Sequence, residues 1–170
     1  MKRRPSMRKF HFLIAFIVAL LDRLSKLAVE HTIPLHDGIQ IIPGFFRLTH
    51  LENRGAAFGL FADSPSEWKV AILVLFSVVA LVVVSVLLWK NGHAMSTTGV
   101  GLALILGGAI GNLWDRLAAG HVTDFLLFYV RDYQWPAFNV ADSAIVIGAG
   151  LLVFEILFSK TPAHEKGLGS

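Results

Sequence analysis

The sequence predicts a membrane protein made of a single domain, residues 1–170, with four transmembrane helices and a small extracytoplasmic β-sheet on the membrane surface. Hydrophobic residues make up 55% of the 170 residues and charged residues only 16%, whereas about a quarter of a soluble domain is charged. Four apolar segments have the length that a membrane-spanning helix needs. The segment 31–69, between the first two, is too long for a simple connection and has the composition of strands.

The first predicted span covers about residues 10–27. Asp22, Arg23 and Lys26 follow its apolar run. They stand where a cleaved signal peptide has small residues, so we expect this span to remain in the protein.

Residues 31–69 are predicted to form a β-rich periplasmic segment. They contain "GIQIIPGFFRLTHL", in which β-branched and aromatic residues surround Pro43 and Gly44. Such a pattern indicates short strands joined by a turn.

Three further spans follow. Val70–Trp89 has twenty residues without a charge, enough to cross about 30 Å of hydrocarbon at about 1.5 Å per residue. Before it, "SPSE" at 64–67 is a capping-box pattern. The other spans are predicted at about 97–119 and 139–158, and the tail 160–170 is predicted to be a disordered cytoplasmic segment.

The distribution of lysine and arginine predicts the orientation of the chain. The termini and the 90–98 loop share one side and carry Lys2, Arg3, Arg4, Arg8, Lys9, Lys90, Lys160 and Lys166. The opposite side carries Arg47, Arg54, Lys69 and Arg131. Because cytoplasmic loops are richer in basic residues, we expect both termini to be cytoplasmic and residues 31–69 and 120–137 to face outward.

Ionisable residues inside the predicted spans are costly and need partners or a function. Asp22 and Lys26 are four residues apart and can pair along one helix face. In "GGAIGNLWDR", Gly107 and Gly111 allow close contact between helices. A further set shares one face of the same helix: Gly108, Asn112, Asp115 and Arg116. That face is either a polar clasp, in which the last two residues satisfy each other or nearby backbone, or part of a functional site.

Two aspartates at the outer end of the last two spans are the main candidates for chemistry. Asp124 lies in the outer loop after the third span, and Asp142 follows Asn139 by three residues. Taken alone, Asp142 is explained by helix capping, with Asn139 as the N-cap residue. The spans are joined on the outer side, however, so both carboxyl groups can face each other and share one proton. Such a pair provides a base for water and an acid for the peptide, as in aspartic proteases.

Other chemistries find little support in the sequence. There is no cysteine, which excludes disulfides, thiolate metal sites and a cysteine nucleophile. The seven histidines show no paired-ligand spacing for zinc. The basic residues lie mainly near the N-terminus, which argues against a nucleic-acid-binding surface.

Five motifs occur in one order along the chain. They are "DRLSK" at 22–26, "NRGAAFG" at 53–59, "GGAIGNLWDR" at 107–116, "GHVTDF" at 120–125 and "FNVADS" at 138–143. With these motifs the chain, over about residues 10–158, resembles the lipoprotein signal peptidase (signal peptidase II) family of bacterial intramembrane aspartyl peptidases. One departure is Arg23, where many relatives have glutamine.

The resemblance implies an aspartic endopeptidase of the bacterial inner membrane, with the catalytic pair Asp124 and Asp142. The supporting residues that it implies are Asn53, Gly55, Asn112, Asp115, Arg116, Asn139, Ala141, Asp22 and Lys26. It implies a diacylglyceryl-prolipoprotein as substrate, cut just before the lipidated cysteine, and neither a metal nor an organic cofactor. We also expect contact with membrane phospholipid, and a monomer, because one chain supplies both aspartates.

Two other functions remain open on the residues alone. Intramembrane Asp and Arg also mark ion pathways, so a small proton-coupled transporter is one alternative. The absence of an inverted repeat in the sequence argues against it. A non-catalytic membrane scaffold is the other.

Overall fold

The computed structural model describes residues 7–55, 67–93 and 95–158. Its helices and strands are, in chain order, α1 (Arg8–Thr32), β1 (Gly38–Ile42), β2 (Phe46–Asn53), α2 (Glu67–Asn91), α3 (Thr97–Ala119), β3 (Val122–Val130), β4 (Tyr133–Gln134) and α4 (Val140–Phe158). The predicted cap at 64–66, the tail 160–170 and the last residues of the "NRGAAFG" motif lie outside the described residues.

The four long helices occur where the sequence predicts them. α3 has the predicted bounds, and α2 and α4 differ by no more than three residues at either end. α1 continues five residues beyond the predicted end at residue 27. The polar residues after that point therefore extend the helix beyond its apolar run and bring its end to the sheet.

Among the described residues, three helices are long and apolar enough to cross a membrane: Val70–Asn91, Thr97–Ala119 and Val140–Phe158. α1 is 25 residues long but carries Asp22, Arg23 and Lys26 in its second half. Large apolar side chains point outward on α2 and α4, for example Phe76 and Leu157. This exposure is what a helix surrounded by lipid requires.

The sheet has four antiparallel strands in the order β1-β2-β3-β4. Strands were predicted in 31–69, and β1 and β2 lie there, joined through Gly44 at φ 77°. The 120–137 segment was predicted to be a loop, but it supplies β3 and β4, so that Asp124 lies on a strand. Phe46 pairs with Phe128 and Asn53 with Val122. β2 and β3 therefore satisfy each other's backbone groups, which the local sequence alone does not reveal.

α3 is the central helix and packs against α1, α2 and α4. Its glycines make this possible. A Cβ at Gly107 would lie 2.6 Å from the backbone oxygen of Ala15 on α1. At Gly108 it would collide with the backbone oxygen of Ala141 on α4. The small residues of the motif thus bring α3 into backbone contact with both neighbours, as expected.

Two apolar clusters hold the elements together. One lies among α1, α2 and α3 and consists of Ala15, Leu88, Leu102, Ala103 and Leu106. The other joins the end of α1 to the sheet through Val29, Ile33 and Phe125. The sheet is therefore anchored on α1, next to the turn where α3 passes into β3.

Candidate active site

Asp124 lies on β3, where its side chain is buried and only 3% exposed. Asn139 donates a hydrogen bond from Nδ2 to Oδ1 of Asp124 at 2.8 Å. Asn53, at the end of β2, donates from Nδ2 to Oδ2 at 2.9 Å. Both carboxyl oxygens therefore have an amide donor, one from the neighbouring strand and one from the start of α4.

Asp142 lies in the first turn of α4 and is half-buried. Its backbone N–H donates to Oδ1 of Asn139 at 2.9 Å, which confirms the predicted cap. Its Oδ1 accepts a hydrogen bond from Nδ2 of Asn112 at 2.7 Å. The amide of Asn139 thus caps the helix with its oxygen and binds Asp124 with its nitrogen, which places the two aspartates on either side of one side chain.

Lys26 fixes the orientation of the Asn112 amide. Nζ of Lys26 donates to Oδ1 of Asn112 at 3.2 Å, so the amide nitrogen must point towards Asp142. Nζ also contacts Oδ2 of Asp22 and Oδ2 of Asp115, both at 2.7 Å. The contact with Asp22 is the predicted pair along α1, and this pairing is confirmed. A single fully buried ammonium group therefore joins two carboxylates and the amide that holds Asp142.

Asp22 links α1 to the start of α4. Its Oδ1 accepts a hydrogen bond from the backbone N–H of Ala141 at 2.8 Å. The first N–H groups of a helix have no partner within the helix, so this carboxylate satisfies one of them. Ala141 is fully buried, and its small side chain lets α1 and α3 approach α4 next to Asp142.

Asp115 and Arg116 do not pair with each other, and of the polar-clasp interpretation only the binding of nearby backbone is seen, at Arg116. Asp115 faces α1, where it contacts Lys26 and, at 3.5 Å, Arg23. Arg116 points the other way and donates to the backbone oxygens of Asn112 at 3.3 Å and Gly55 at 3.5 Å. Consecutive residues on a helix point in different directions, which accounts for this division.

Gly55 belongs to a turn that follows β2. Its N–H donates to Oδ1 of Asn53 at 2.9 Å, so the amide of Asn53 holds the turn with its oxygen and Asp124 with its nitrogen. Arg116 binds the carbonyl of the same glycine. Asn53 of the "NRGAAFG" motif therefore contacts Asp124 directly, and Gly55 is tied to the site through Asn53 and Arg116.

One contact beside the site was not among the predicted ones. Thr123, the residue before Asp124, donates from Oγ1 to Oε1 of Glu30 at 2.7 Å. Glu30 is four residues beyond Lys26 on α1, which itself is four beyond Asp22. This spacing places all three on one helix face, and that signal was available in the sequence.

The surroundings of Asp124 favour its protonated form. Burial and, as a smaller contribution, the charge of nearby Asp142 together raise the pKa of Asp124 from the ordinary value of 3.8 to about 7. The hydrogen bonds from Asn53 and Asn139 act against this shift. Around neutral pH, the pair can therefore hold one proton and one charge.

Comparison with known proteins identifies the family. The family model for signal peptidase (SPase) II matches residues 14–158. The lipoprotein signal peptidase of Solibacter usitatus is 45% identical over 159 residues, which cover 94% of this chain and 97% of the relative. The lipoprotein signal peptidase of Desulforapulum autotrophicum is 47% identical over 154 residues, covering 88% of this chain and 93% of that protein. The chain belongs to the signal peptidase II family.

Solved structures agree with this membership. A bacterial membrane enzyme solved by the in meso method at 2.3 Å resolution superposes with a TM-score of 0.84 at 27% identity, covering 99% of this chain and 100% of the other. A second bacterial membrane enzyme, solved at 1.9 Å resolution, gives a TM-score of 0.79 at 28% identity, covering 94% and 100%. This signal peptidase II is therefore a peptidase, and its fold is that of a membrane enzyme.

Proposed function

We propose that this signal peptidase II is an aspartic endopeptidase that removes the signal peptide from diacylglyceryl-modified prolipoproteins, cutting just before the lipidated cysteine. The observation that carries the proposal is that Asn139 hydrogen-bonds both Asp124 and the backbone of Asp142. Two carboxyl groups held in this way can activate water and protonate the peptide in the same step.

In the proposed reaction, Asp142 is the base and Asp124 the acid. Asp142 lies at the N-terminal end of α4, where the helix dipole favours a negative charge, whereas the deeper burial of Asp124 favours its proton. Asp142 takes a proton from water as the water oxygen bonds to the peptide carbon, and Asp124 protonates the carbonyl oxygen. The C–N bond then breaks. The leaving nitrogen receives the proton from Asp142, and Asp124 takes back a proton from one hydroxyl of the intermediate, which leaves a carboxylic acid and the pair in its starting state.

We assign the other site residues to positioning and substrate binding. Asn53 and Asn139 hold Asp124, and Asn112 holds Asp142. The relative positions of α1, α3 and α4 around these amides are maintained by four further residues: Asp22, Lys26, Asp115 and Ala141. Arg116 and Gly55 border the aspartates, where a guanidinium and a turn backbone can bind the carbonyl groups of the substrate.

We further propose that α1 is the fourth membrane span, because its charges meet partners inside the bundle instead of lipid. The chain then crosses the bacterial inner membrane four times with both termini in the cytoplasm, and the sheet lies on the outer surface among phospholipid head groups. The enzyme acts as a monomer, since one chain supplies both aspartates.

The proposal predicts that Asp124→Asn and Asp142→Asn each lower kcat for a lipobox peptide with a diacylglyceryl-cysteine by about 100- to 10,000-fold, the usual contribution of a general acid or base. Cleavage by purified enzyme is measured by mass spectrometry in detergent micelles without any ion gradient. Asp132→Asn, which changes an exposed carboxylate on the β3–β4 turn, is the matched control and should keep full activity.

Thermal unfolding of all three variants separates chemistry from folding. If an Asn variant of either aspartate is folded and retains near-normal cleavage, the catalytic assignment is wrong. Normal lipoprotein processing in cells that carry these variants would favour a scaffold, and cleavage that requires a gradient would favour a proton-coupled transporter.

A further inference from the structure

An open groove of about 380 Å³ lies beside the far end of β3. Its lining is almost entirely apolar and consists of Phe128, Tyr129, Val130, Tyr133, Trp135 and Phe138. This volume is at the small end of the range for ligand sites, about 300–1,000 Å³. Nothing in the proposed chemistry uses the groove.

Aromatic rings cluster around Phe128, one of the residues that line this groove. The ring of Phe128 stacks on Phe46 with centroids 4.8 Å apart and on Phe138 at 5.9 Å. Phe45 contacts the same ring edge-on at 5.4 Å. An apolar chain laid across this cluster would meet rings from three segments, while the exposed Tyr133 and Trp135 border it.

The groove lies on the same strand as Asp124, and one of its lining residues, Phe138, directly precedes Asn139. Phe138 pairs with Leu126 through its backbone and directly precedes Asn139, which binds Asp124. Alternate residues of a strand share a face, so Asp124 and Phe128 lie on the same face of β3. At about 3.3 Å per residue, four to six residues of strand place the groove about 13–20 Å from Asp124.

We propose that this groove binds one acyl chain of the diacylglyceryl group on the substrate cysteine, a proposal that rests on the proposed function. The lipidated cysteine adjoins the bond that is cut, so both acyl chains start close to the aspartates. An acyl chain spans about 15 Å, half of a hydrocarbon core of about 30 Å, which matches the distance from Asp124 to the groove. Because the lining offers rings and no charge, it suits an acyl chain better than a peptide backbone, which needs hydrogen-bond partners.

A variant that fills the groove tests this proposal. Val130 is 55% exposed at the groove, and Ile41, on the outer strand β1, is 50% exposed. Val130→Trp blocks the groove with a residue that strands tolerate well, and Ile41→Trp adds the same ring elsewhere on the sheet. Each enzyme is assayed in mixed micelles on two peptides of one sequence, whose cysteine carries either two palmitoyl or two butanoyl chains.

We expect Val130→Trp to raise KM for the palmitoyl peptide by about tenfold, the effect of about two methylene groups left unburied. Its kcat and its KM for the butanoyl peptide should match the wild type, and Ile41→Trp should match it for both peptides. Equal KM changes for both peptides would assign the groove to the peptide or to general membrane contact and overturn the proposal. An unchanged KM for both would overturn it as well.

A binding measurement keeps the test independent of turnover. A peptide with a photoreactive group near the end of one acyl chain is crosslinked to the Asp142→Asn variant, and the labelled residues are mapped by mass spectrometry. Label at 128–138 is expected, and label confined to α2 or α4 contradicts the proposal. If the wild type cuts neither peptide, the proposed function fails. If the wild type cuts both peptides and Val130→Trp changes KM equally for both, only the acyl-chain proposal fails.

Discussion

Asn139 shows how one side chain can serve both the fold and the site. Its oxygen caps α4 at 2.9 Å and its nitrogen binds Asp124 at 2.8 Å. A helix cap is worth about 1 kcal/mol, and here the cap residue also fixes where Asp142 stands relative to Asp124. The capping and catalytic interpretations of Asp142 are therefore compatible, because the cap holds the residue that the proposed chemistry needs.

At the scale of single residues, the pKa of Asp124 predicts how activity depends on pH. Because burial and the charge of Asp142 raise this pKa to about 7, Asp124 holds its proton below that value and loses it above. Peptide cleavage should therefore decline as pH rises through about 7, since the ionised pair no longer has an acid. The measurement is kcat/KM for one lipopeptide between pH 5 and 9 at constant ionic strength, with exposed Asp132→Asn as the control.

The same residue predicts a pH dependence of stability. The folded protein binds the Asp124 proton more tightly than the unfolded chain, whose carboxyl pKa is near 3.8. The stabilisation from this proton is complete below that value and is lost as pH rises to about 7. The Tm of the wild type should therefore fall over this range relative to Asp124→Asn. Parallel Tm curves for both proteins would contradict the raised pKa.

At the scale of elements, Lys26 is the main polar link between α1 and α3. It is fully buried between Asp22 and Asp115, so Lys26→Met leaves buried Asp22 without its cation and Asp115 with only the longer contact to Arg23. Removing one partner of a buried ion pair typically costs about 3–5 kcal/mol, and we expect a loss of this size. Arg23→Met is the comparison, because Arg23 is 38% exposed and contacts the same Asp115 at 3.5 Å.

Thermal unfolding in detergent measures both variants. A large loss in Lys26→Met is expected together with lower kcat, because Asn112 loses the contact that orients it towards Asp142. A loss of similar size in Arg23→Met would show that the stabilisation does not come from burial of the Lys26 ammonium.

The contact between α3 and α4 depends on glycine. A Cβ at Gly108 would collide with the backbone oxygen of Ala141, whereas a Cβ at Gly150 on α4 meets nothing within 4 Å. Gly108→Ala should therefore push α4 away from α3, lengthen the bond from Asn112 to Asp142, and lower both Tm and kcat. Gly150→Ala should keep activity and gain up to about 1 kcal/mol, because alanine favours helices over glycine. If Gly108→Ala is as stable and active as Gly150→Ala, the helices are not in such close contact.

The elements also show what the sequence can and cannot predict. Runs of apolar residues predicted four helices, and spacing along one helix predicted the pair of Asp22 and Lys26, because both depend on neighbours in the chain. The strand β3 was missed. "VTDFLLFYV" does not alternate in polarity, and its backbone partners lie on β2, between 69 residues (Asn53 and Val122) and 82 residues (Phe46 and Phe128) away in sequence. The partner of Asp115 was missed for the same reason, since α1 and α3 meet only in the folded protein.

At the scale of the whole molecule, buried ionisable residues and exposed apolar surface lie in different parts of the bundle. Buried ionisable groups cluster where α1, α3, α4 and the sheet meet, while α2 has no charge from Val70 to Trp89. α2 contacts mainly α3 and leaves its large apolar residues exposed. Apart from His11, which is buried near the start of α1, the buried ionisable residues that the structure describes therefore lie at the sheet end of the bundle.

This arrangement predicts a four-span topology that can be tested by labelling. Because the chain has no cysteine, single cysteines introduced at exposed positions give an unambiguous signal. We choose four exposed positions, one near the start of α1 and one in each of the three segments that join successive long helices: Lys9→Cys, Gln40→Cys, Met95→Cys and Gln134→Cys. A membrane-impermeant maleimide applied to intact spheroplasts should label Gln40→Cys and Gln134→Cys, and should label the other two only after the membrane is permeabilised.

Label at Lys9→Cys in intact spheroplasts would place it on the same side as Gln40→Cys and would show that α1 does not cross the membrane. Label at Met95→Cys without label at Gln134→Cys would reverse the orientation that the basic residues predict.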